Sequence, residues 1–433
     1  MAIEIATLNN MIREAIDPRV QKVVSFPRIF MDRIVSNMSG IELIGQTYRT
    51  KVAVKSGLGA RGGMRGAGGS LPSEGSPTYN RDMYIDLTRF YSRAEFDGPV
   101  LKLPNNEQII NTVNDCIQDA LDAIPSIMES VYMGVNTSAI AKVASSANDG
   151  STTTVTLDSD YLWPGTRRMW TGMYVDILSA ITGIGATERC GSKQVTVASD
   201  TTFTISESST TVADGDYVFF DDSSGTSIDV APMGIAAIVD GPDSYHSNYY
   251  IDDKESITAT KTVQGINTSS ASYAYCRAQV LGSTSQADRY LDRELIARAA
   301  LLVYTSRKKA VDSNWMLMSS PETQLGYGMR LAREGIRWFD ARKEVDGVPA
   351  VDEVINGSKV EWLAPYTCGR GVLYGLHKPS LVHKQLAGVH PIGNGQFKQV
   401  EGYDKLRKDY AAYAQLGFLD RGLHFVVRHL TEM

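Results

Sequence analysis

The chain has 433 residues, 43% hydrophobic and 21% charged, a globular balance that excludes wholesale disorder and leaves room for about three domains of roughly 150 residues. With 43 Lys+Arg against 49 Asp+Glu the net charge is −6, which excludes a polybasic surface for reading nucleic acid or gripping acidic lipid, so any DNA nearby is a non-specific neighbour. The longest apolar stretches, such as residues 295–304 with Arg298 inside, fall short of the ~18 to 20 residues of a membrane span, and Met1-Ala-Ile-Glu-Ile carries an acid where an export signal carries bases.

Residues 1–45 mix short apolar clusters (Met11, Ile12, Ile16, then Ile29, Phe30, Ile34) with charges, and Pro18 and Pro27 break any long helix. This pattern predicts an arm that docks on something else. Val52 and Val54 alternate with Lys51 and Lys55 in a half-buried strand, and residues 79–91 form a second strand-like run. Between them, residues 57–69 hold seven glycines with Arg61 and Arg65, and Leu71-Pro-Ser-Glu-Gly-Ser-Pro77 extends the turn chemistry. The expectation is a long hairpin with a flexible, basic tip.

After Pro104 the period changes. Ile109, Val113, Ile117, Leu121, Ile124, Met128 and Val131 recur every three or four residues, predicting one helix over residues 106–133, bent near Leu121 by Pro125. From 145 to 230 the composition turns to Ser, Thr, Gly and Asp, with four bases (Arg167, Arg168, Arg189, Lys193) against twelve acids. Short β-rich runs alternate there with turn signals such as Asp214-Gly215, predicting a small acidic β-barrel or sandwich inserted into another domain.

Beyond it, residues 286–307 read as a helix, and Trp315-Met-Leu-Met-Ser-Ser-Pro-Glu as a strand entering a Ser-capped, Pro-started helix. Residues 359–366 and 371–377 read as strands, 380–386 as a short helix after Pro379, and 423–430 as a closing strand. This part is a compact α/β layer.

Motifs that would carry chemistry lack their context. Gly57-Leu-Gly-Ala-Arg-Gly62 fits G-x-G-x-x-G, but the glycine-rich run after it cannot form the helix whose amides would hold a pyrophosphate. Ser306-Arg-Lys-Lys309 spells S-x-x-K without its companion boxes and reads as a solvated basic helix end. The histidines (His246, His377, His383, His390, His424, His429) have no metal-binding spacing, and Asp221-Asp222-Ser-Ser-Gly225 lacks the alternating ligands of a calcium loop. Cys116, Cys190, Cys276 and Cys368 lie 74, 86 and 92 residues apart, spacing that suits reduced, buried thiols. No catalytic, metal or cofactor site is expected, and the chain does not read as an enzyme.

The order of an arm, a Gly-tipped hairpin (Thr47-Tyr-Arg-Thr-Lys-Val-Ala-Val through Pro77), a long helix (Ile109 onward), the Trp315-to-Glu322 step and a returning strand segment resembles tailed-phage major capsid proteins of the Hong Kong 97 type. The resemblance covers nearly all of the chain outside the insertion. It implies an α+β fold with an N-terminal arm (1–45), an extended hairpin loop (46–91), a peripheral domain with the spine helix (92–144), the inserted β-rich domain (145–231), an axial α/β domain (232–390) and a return segment (391–433). It further implies a structural protein of the virion, assembled in the host cytoplasm as hexamers and pentamers into an icosahedral or prolate shell around double-stranded DNA. Its partners would be itself, a scaffolding protein, a portal and a decoration protein, with packaged DNA as a non-specific neighbour and no membrane. The implied inter-subunit contacts are Lys51, Lys55, Arg61, Arg65 and Glu74. Nothing before Thr47 is long enough for a built-in scaffolding region, which points to a separate scaffold. An alternative from another class is a β-rich adhesion protein, suggested by the Ser/Thr-rich insertion.

Overall fold

A computed structural model describes residues 2–3, 29–33, 42–44, 47–55, 79–97, 107–135, 138–159, 162–181, 187–206, 211–221, 234–239, 262–263, 266–267, 277–282, 289–333, 342–345, 348–392, 397–400 and 403–431. In chain order the strands are β1 (Ala2–Ile3), β2 (Glu42–Ile44), β3 (Thr47–Lys55), β4 (Tyr79–Asp86) and β5 (Thr88–Asp97), followed by helix α1 (Glu107–Tyr132). Then come β6 (Ala141–Asn148), β7 (Thr153–Leu157), β8 (Tyr174–Leu178), β9 (Glu188–Val197), β10 (Thr202–Ile205) and β11 (Tyr217–Phe220). The short α2 (Ile235–Val239), the pair β12 (Thr262–Val263) and β13 (Ile266–Asn267), and β14 (Gln279–Leu281) lead to α3 (Arg293–Arg307), β15 (Trp315–Ser319) and α4 (Pro321–Arg333). The chain closes with β16 (Arg342–Val345), β17 (Val348–Ile355), β18 (Ser358–Leu363), β19 (Leu373–His377), β20 (Leu381–Pro391), β21 (Lys398–Gln399), β22 (Lys405–Phe418) and β23 (Phe425–Val427).

The central layer is a seven-stranded mixed sheet in the order β14-β23-β19-β15-β18-β17-β16. Every residue of β15 is buried. Trp315 and Leu317 join a core with α3 and α4, whereas Met316 and Met318 join a second core with α1. A strand covered on both faces reads as an unbroken apolar run, which is why Trp-Met-Leu-Met stands out in the sequence. Ser320 then caps α4, its hydroxyl accepting from the Thr323 amide at 3.2 Å. In β19, Gly375 faces Phe425 of β23, and a Cβ there would lie 2.1 Å from the ring. Only glycine leaves room for that ring.

A second sheet, β1-β5-β22-β20 with β21 on β22, lies under α1. Phe90, Ala94 and Phe96 of β5 meet Ile124, Met128 and Tyr132 of the helix, with the Phe90 and Tyr132 rings edge to face at 6.3 Å. Helix α1 runs through Pro125 as one helix of 26 residues. The Ser126 hydroxyl donates to the Asp122 carbonyl at 2.9 Å, one turn back, beside the bond that the proline cannot make.

Three local expectations are corrected. The helix expected over 380–386 is a 3-10 turn, Lys378–Ser380, followed by β20, which pairs with β22 from Leu381↔Phe418 to Pro391↔Tyr410. This long-range pairing overrides the local helix-start signal at Pro379. The helix expected from 286 begins at Arg293, because Asp292 caps it by accepting from the Leu295 amide at 2.8 Å, while Arg289 is held in a bridge to Leu430. The basic end of that helix is not simply solvated. Arg307 is 6% exposed and ion-paired with Asp420, and the Lys309 ammonium donates to His377 Nε2 at 2.9 Å.

Six strands between Ala141 and Phe220 close into a barrel in the order β10-β7-β6-β11-β8-β9. Val143, Val155, Val175, Ile177, Val195 and Phe203 are among the residues filling it. Its outer side is not free of the rest of the subunit: Leu162, Trp163, Leu178, Ile181 and Phe219 belong to the core shared with α1 and the seven-stranded sheet. The third sheet, β2-β3-β4, is a hairpin in which β3 and β4 pair from Thr47↔Asp86 to Lys55↔Tyr79.

Candidate assembly surfaces

The residues proposed from sequence as inter-subunit contacts all lie on or beyond the hairpin. Lys51 stands opposite Asp82 in the β3–β4 register and Lys55 opposite Tyr79. Arg61, Arg65 and Glu74 lie outside the described residues, as does the G-x-G-x-x-G run. Of the S-x-x-K pair, Ser306 donates to the Val303 carbonyl of its own helix at 3.1 Å, while Lys309 turns to His377. The two groups serve different partners, which is not the arrangement of a nucleophile and its base.

The joint between barrel and sheet layer is made by arginines. Fully buried Arg168 donates from Nε to the Thr367 carbonyl at 2.8 Å and from Nη1 to the Ile140 carbonyl at 3.3 Å, and burial pushes its guanidinium down to about 10, still protonated at neutral pH. Arg167 is ion-paired with Glu322 at the start of α4, and its guanidinium lies 4.6 Å from the Tyr366 ring centre. Burial alone would raise the Glu322 carboxyl. The Arg167 hydrogen bond, a backbone amide and the nearby arginines together hold it below its ordinary value. Arg370 donates to the Ser159 carbonyl at 2.8 Å and closes the seam.

The buried histidines are structural. The His377 amide donates to His424 Nδ1 at 3.2 Å, so His424 carries its proton on Nε2 and donates it to Ser380 Oγ at 2.8 Å, which passes a bond on to the His377 carbonyl at 3.1 Å. Burial first, then neighbouring His377, Arg421 and Arg307, holds His424 well below 6.5. Burial also lowers His383 to about 4, and burial together with Lys309 lowers His377 to about 4. All three rings are neutral at pH 7. Burial, with Asp119 and Asp115, raises the half-buried Cys116 thiol to about 11, and Cys190 and Cys368 are buried thiols outside any disulfide. Among the described residues no group of three or more His, Cys, Asp or Glu could hold a metal, and no helix is long and apolar enough to cross a membrane.

Two surface features had no signal in the sequence. Leu301 and Tyr304 on α3, and Leu325 and Met329 on α4, are large apolar side chains left exposed on helices whose opposite faces are in the core. A cleft of about 940 Å³ opens between β5, the middle of α1 and the barrel. Its charged residues are Glu95, Asp119, Asp221 and Asp409 against Arg93 alone. Both features bring together residues distant in the sequence, so no local pattern reveals them.

No protein-family model matches the chain, nor does any curated protein sequence. Among solved structures it is similar to the capsid asymmetric unit of cyanophage A-1(L), at 12% identity and a TM-score of 0.54 over 96% of each chain. It also aligns with the capsid of the native GTA particle (8% identity, TM-score 0.46, 96% of each chain) and with a structure of Mycobacterium phage Bobi (10% identity, TM-score 0.43, 98% of each chain). The chain has the tailed-phage major capsid fold.

Proposed function

We propose that this protein is the structural shell protein of a tailed-phage head, assembling with copies of itself as hexamers and pentamers into a closed shell around double-stranded DNA. The observation that carries the reading is the likeness to the cyanophage capsid structure over 96% of both chains. On this reading residues 1–45 are the arm, 46–91 the extended loop, 92–144 the peripheral domain, 145–231 the insertion, 232–390 the axial domain and 391–433 the return segment. The arm and hairpin engage neighbouring subunits, and the exposed apolar stripes of α3 and α4 pack around the capsomer centre. A separate scaffolding protein, a portal and a decoration protein are the other partners, and assembly takes place in the host cytoplasm. The chain's role is architectural rather than catalytic.

Hexamers and pentamers give a shell its curvature by closed symmetry, and open strand edges and exposed helix faces are the surfaces such contacts consume. The test is sedimentation and negative-stain microscopy of the full chain, with and without a scaffolding protein. Closed particles built of capsomers are the expected result. A monomer under every salt and scaffold condition would overturn the proposal.

A further inference from the structure

A second cavity, of about 400 Å³, lies at the joint itself, between α1, the barrel and the loop that follows β18. That volume is at the small end of the range that holds small-molecule ligands. Asp200 and Tyr366 are exposed and form its mouth, whereas Glu129, Ser130, Arg168 and Thr367 are buried and form its floor.

Arg168 sets the chemistry of that floor. It is 1% exposed, and its Nε and Nη1 are taken by the Thr367 and Ile140 carbonyls. Among the described residues Nη2 meets no acceptor and no carboxylate pairs with the guanidinium, whose electrostatic neighbours are Cys368 and Tyr374. A guanidinium buried without a counter-charge is costly, and an oxyanion received at the third nitrogen offsets that cost through a charge-assisted hydrogen bond. Ser130 is 4% exposed and its hydroxyl also has no hydrogen-bond partner among the described residues, which puts a second buried donor in the same lining. We propose that the cavity binds a small oxyanion, of the phosphate or carboxylate class, held by Arg168 Nη2 and the Ser130 hydroxyl.

The other charges of the lining have partners or face water. Arg167 is ion-paired with Glu322, which leaves Arg168 as the cation for a ligand. Asp200 sits at the exposed mouth, where water and salt screen it. Glu129 is the acid of the floor, accepting from the Thr367 hydroxyl at 3.4 Å and the Met31 amide at 3.5 Å. Its carboxylate opposes an anion, so neutralising it should tighten an oxyanion and release a cation. A bound oxyanion touches α1 through Ser130 and the root of the barrel through Arg168, and so ties the two sides of the joint together. Such binding is a property of the single subunit, whether or not it enters a shell.

The test is calorimetric titration of the full chain with inorganic phosphate and, separately, with acetate, each against sodium chloride of equal ionic strength. Saturable binding of one anion per chain is expected, with a rise in melting temperature that chloride does not give, and the tighter of the two anions names the class. Ser130→Ala should loosen that binding at least threefold, and Glu129→Gln should tighten it at least threefold. Arg168→Gln should abolish it; if that variant does not fold, the other two decide. No saturable binding of either anion overturns the proposal. Binding that Ser130→Ala and Glu129→Gln both leave unchanged also overturns it, by placing the anion elsewhere. Binding weakened by Glu129→Gln overturns it as well, by making that carboxylate part of the ligand's support. Particle formation plays no part in this readout, so the shell reading stands or falls separately.

Discussion

The barrel and the hairpin are both antiparallel β structure built mostly from short strands, yet they solve the edge problem in opposite ways. The barrel closes through β9 and β10, so its strands all find partners within the subunit, and its interior is filled by side chains such as Phe203 and Val195. The hairpin is an open sheet of three strands, with β2 and β4 as its edges. Met83 and Ile85 of β4 are buried against the subunit, but among the described residues β2 and β4 have no further strand beside them, and open edges invite pairing with another chain. One region closes on itself, and the other leaves two edges open. The contrast teaches that strand content alone does not reveal which β segment serves folding and which serves association.

The largest expected effect probes how far the barrel is a unit of its own. Phe203→Ala empties the barrel interior, and Trp163→Ala empties the core that the barrel's outer side shares with α1, each at a cost of about 3 to 5 kcal/mol. In denaturant titrations followed by fluorescence and far-ultraviolet dichroism, Trp163→Ala should lower the main transition of the whole subunit. Phe203→Ala should instead split off an early transition. Identical single transitions for the two variants would erase the distinction between a self-contained barrel and one fused to the layer behind it.

Acid should loosen the sheet layer before either β region, since residues 42–86 and 141–220 contain no histidine. His377 and His383 are held near 4 in the folded state, mainly by burial, against an ordinary value of 6.5. A histidine lowered by folding is neutral in the fold and takes up a proton on unfolding. Stability from these rings is therefore full above pH 6.5 and lost as pH falls from 6.5 to about 4. The loss is on the order of 3 kcal/mol for His383 and smaller for His377, where solvent screens part of the effect. The urea midpoint at pH 4.5 should fall below that at pH 7, and His383→Gln should flatten the pH dependence. A midpoint that does not change with pH in the parent chain would contradict the burial of these rings.

The smallest effect lies in the hairpin. Lys51→Glu sets an acid opposite Asp82 and should cost only about 0.2 to 1 kcal/mol. The free subunit's melting temperature should barely move. Assembly, where the hairpin is expected to act, should be the sensitive readout, measured as particle yield by sedimentation. A free subunit that melts much earlier would place the hairpin among the regions that hold the subunit together.

Elements whose signal is local were legible in the sequence. The period of α1 placed it within a residue or two of Glu107–Tyr132, because a helix packed on one face must repeat its apolar residues every turn. The step from β15 to α4 was legible because a doubly covered strand leaves an apolar run and a capped helix leaves Ser-Pro-Glu. Strand β20 was misread as a short helix because His383 and Lys384, both buried, blur the apolar pattern, and its partner β22 starts more than a dozen residues later. The cleft was invisible for the same reason in stronger form: Tyr91, Asp119, Tyr174 and Asp409 meet only once three separate units have packed.

The pairing of β14 with β23 sets a clock on synthesis. Gln279, Val280 and Leu281 find their ladder partners in Phe425, Val426 and Val427, 146 residues later, and β14 lies at the end of the sheet with β23 as its neighbour. At ~5 to 20 residues per second, the ribosome takes about 7 to 30 s to deliver those partners after β14 has been made. Through that interval the sheet lacks β23, the strand that joins β14 to β19, and the central layer stays unfinished. The seven-stranded sheet is therefore completed only after residue 427 has left the exit tunnel, and the first strand of its ladder waits longest for its partner.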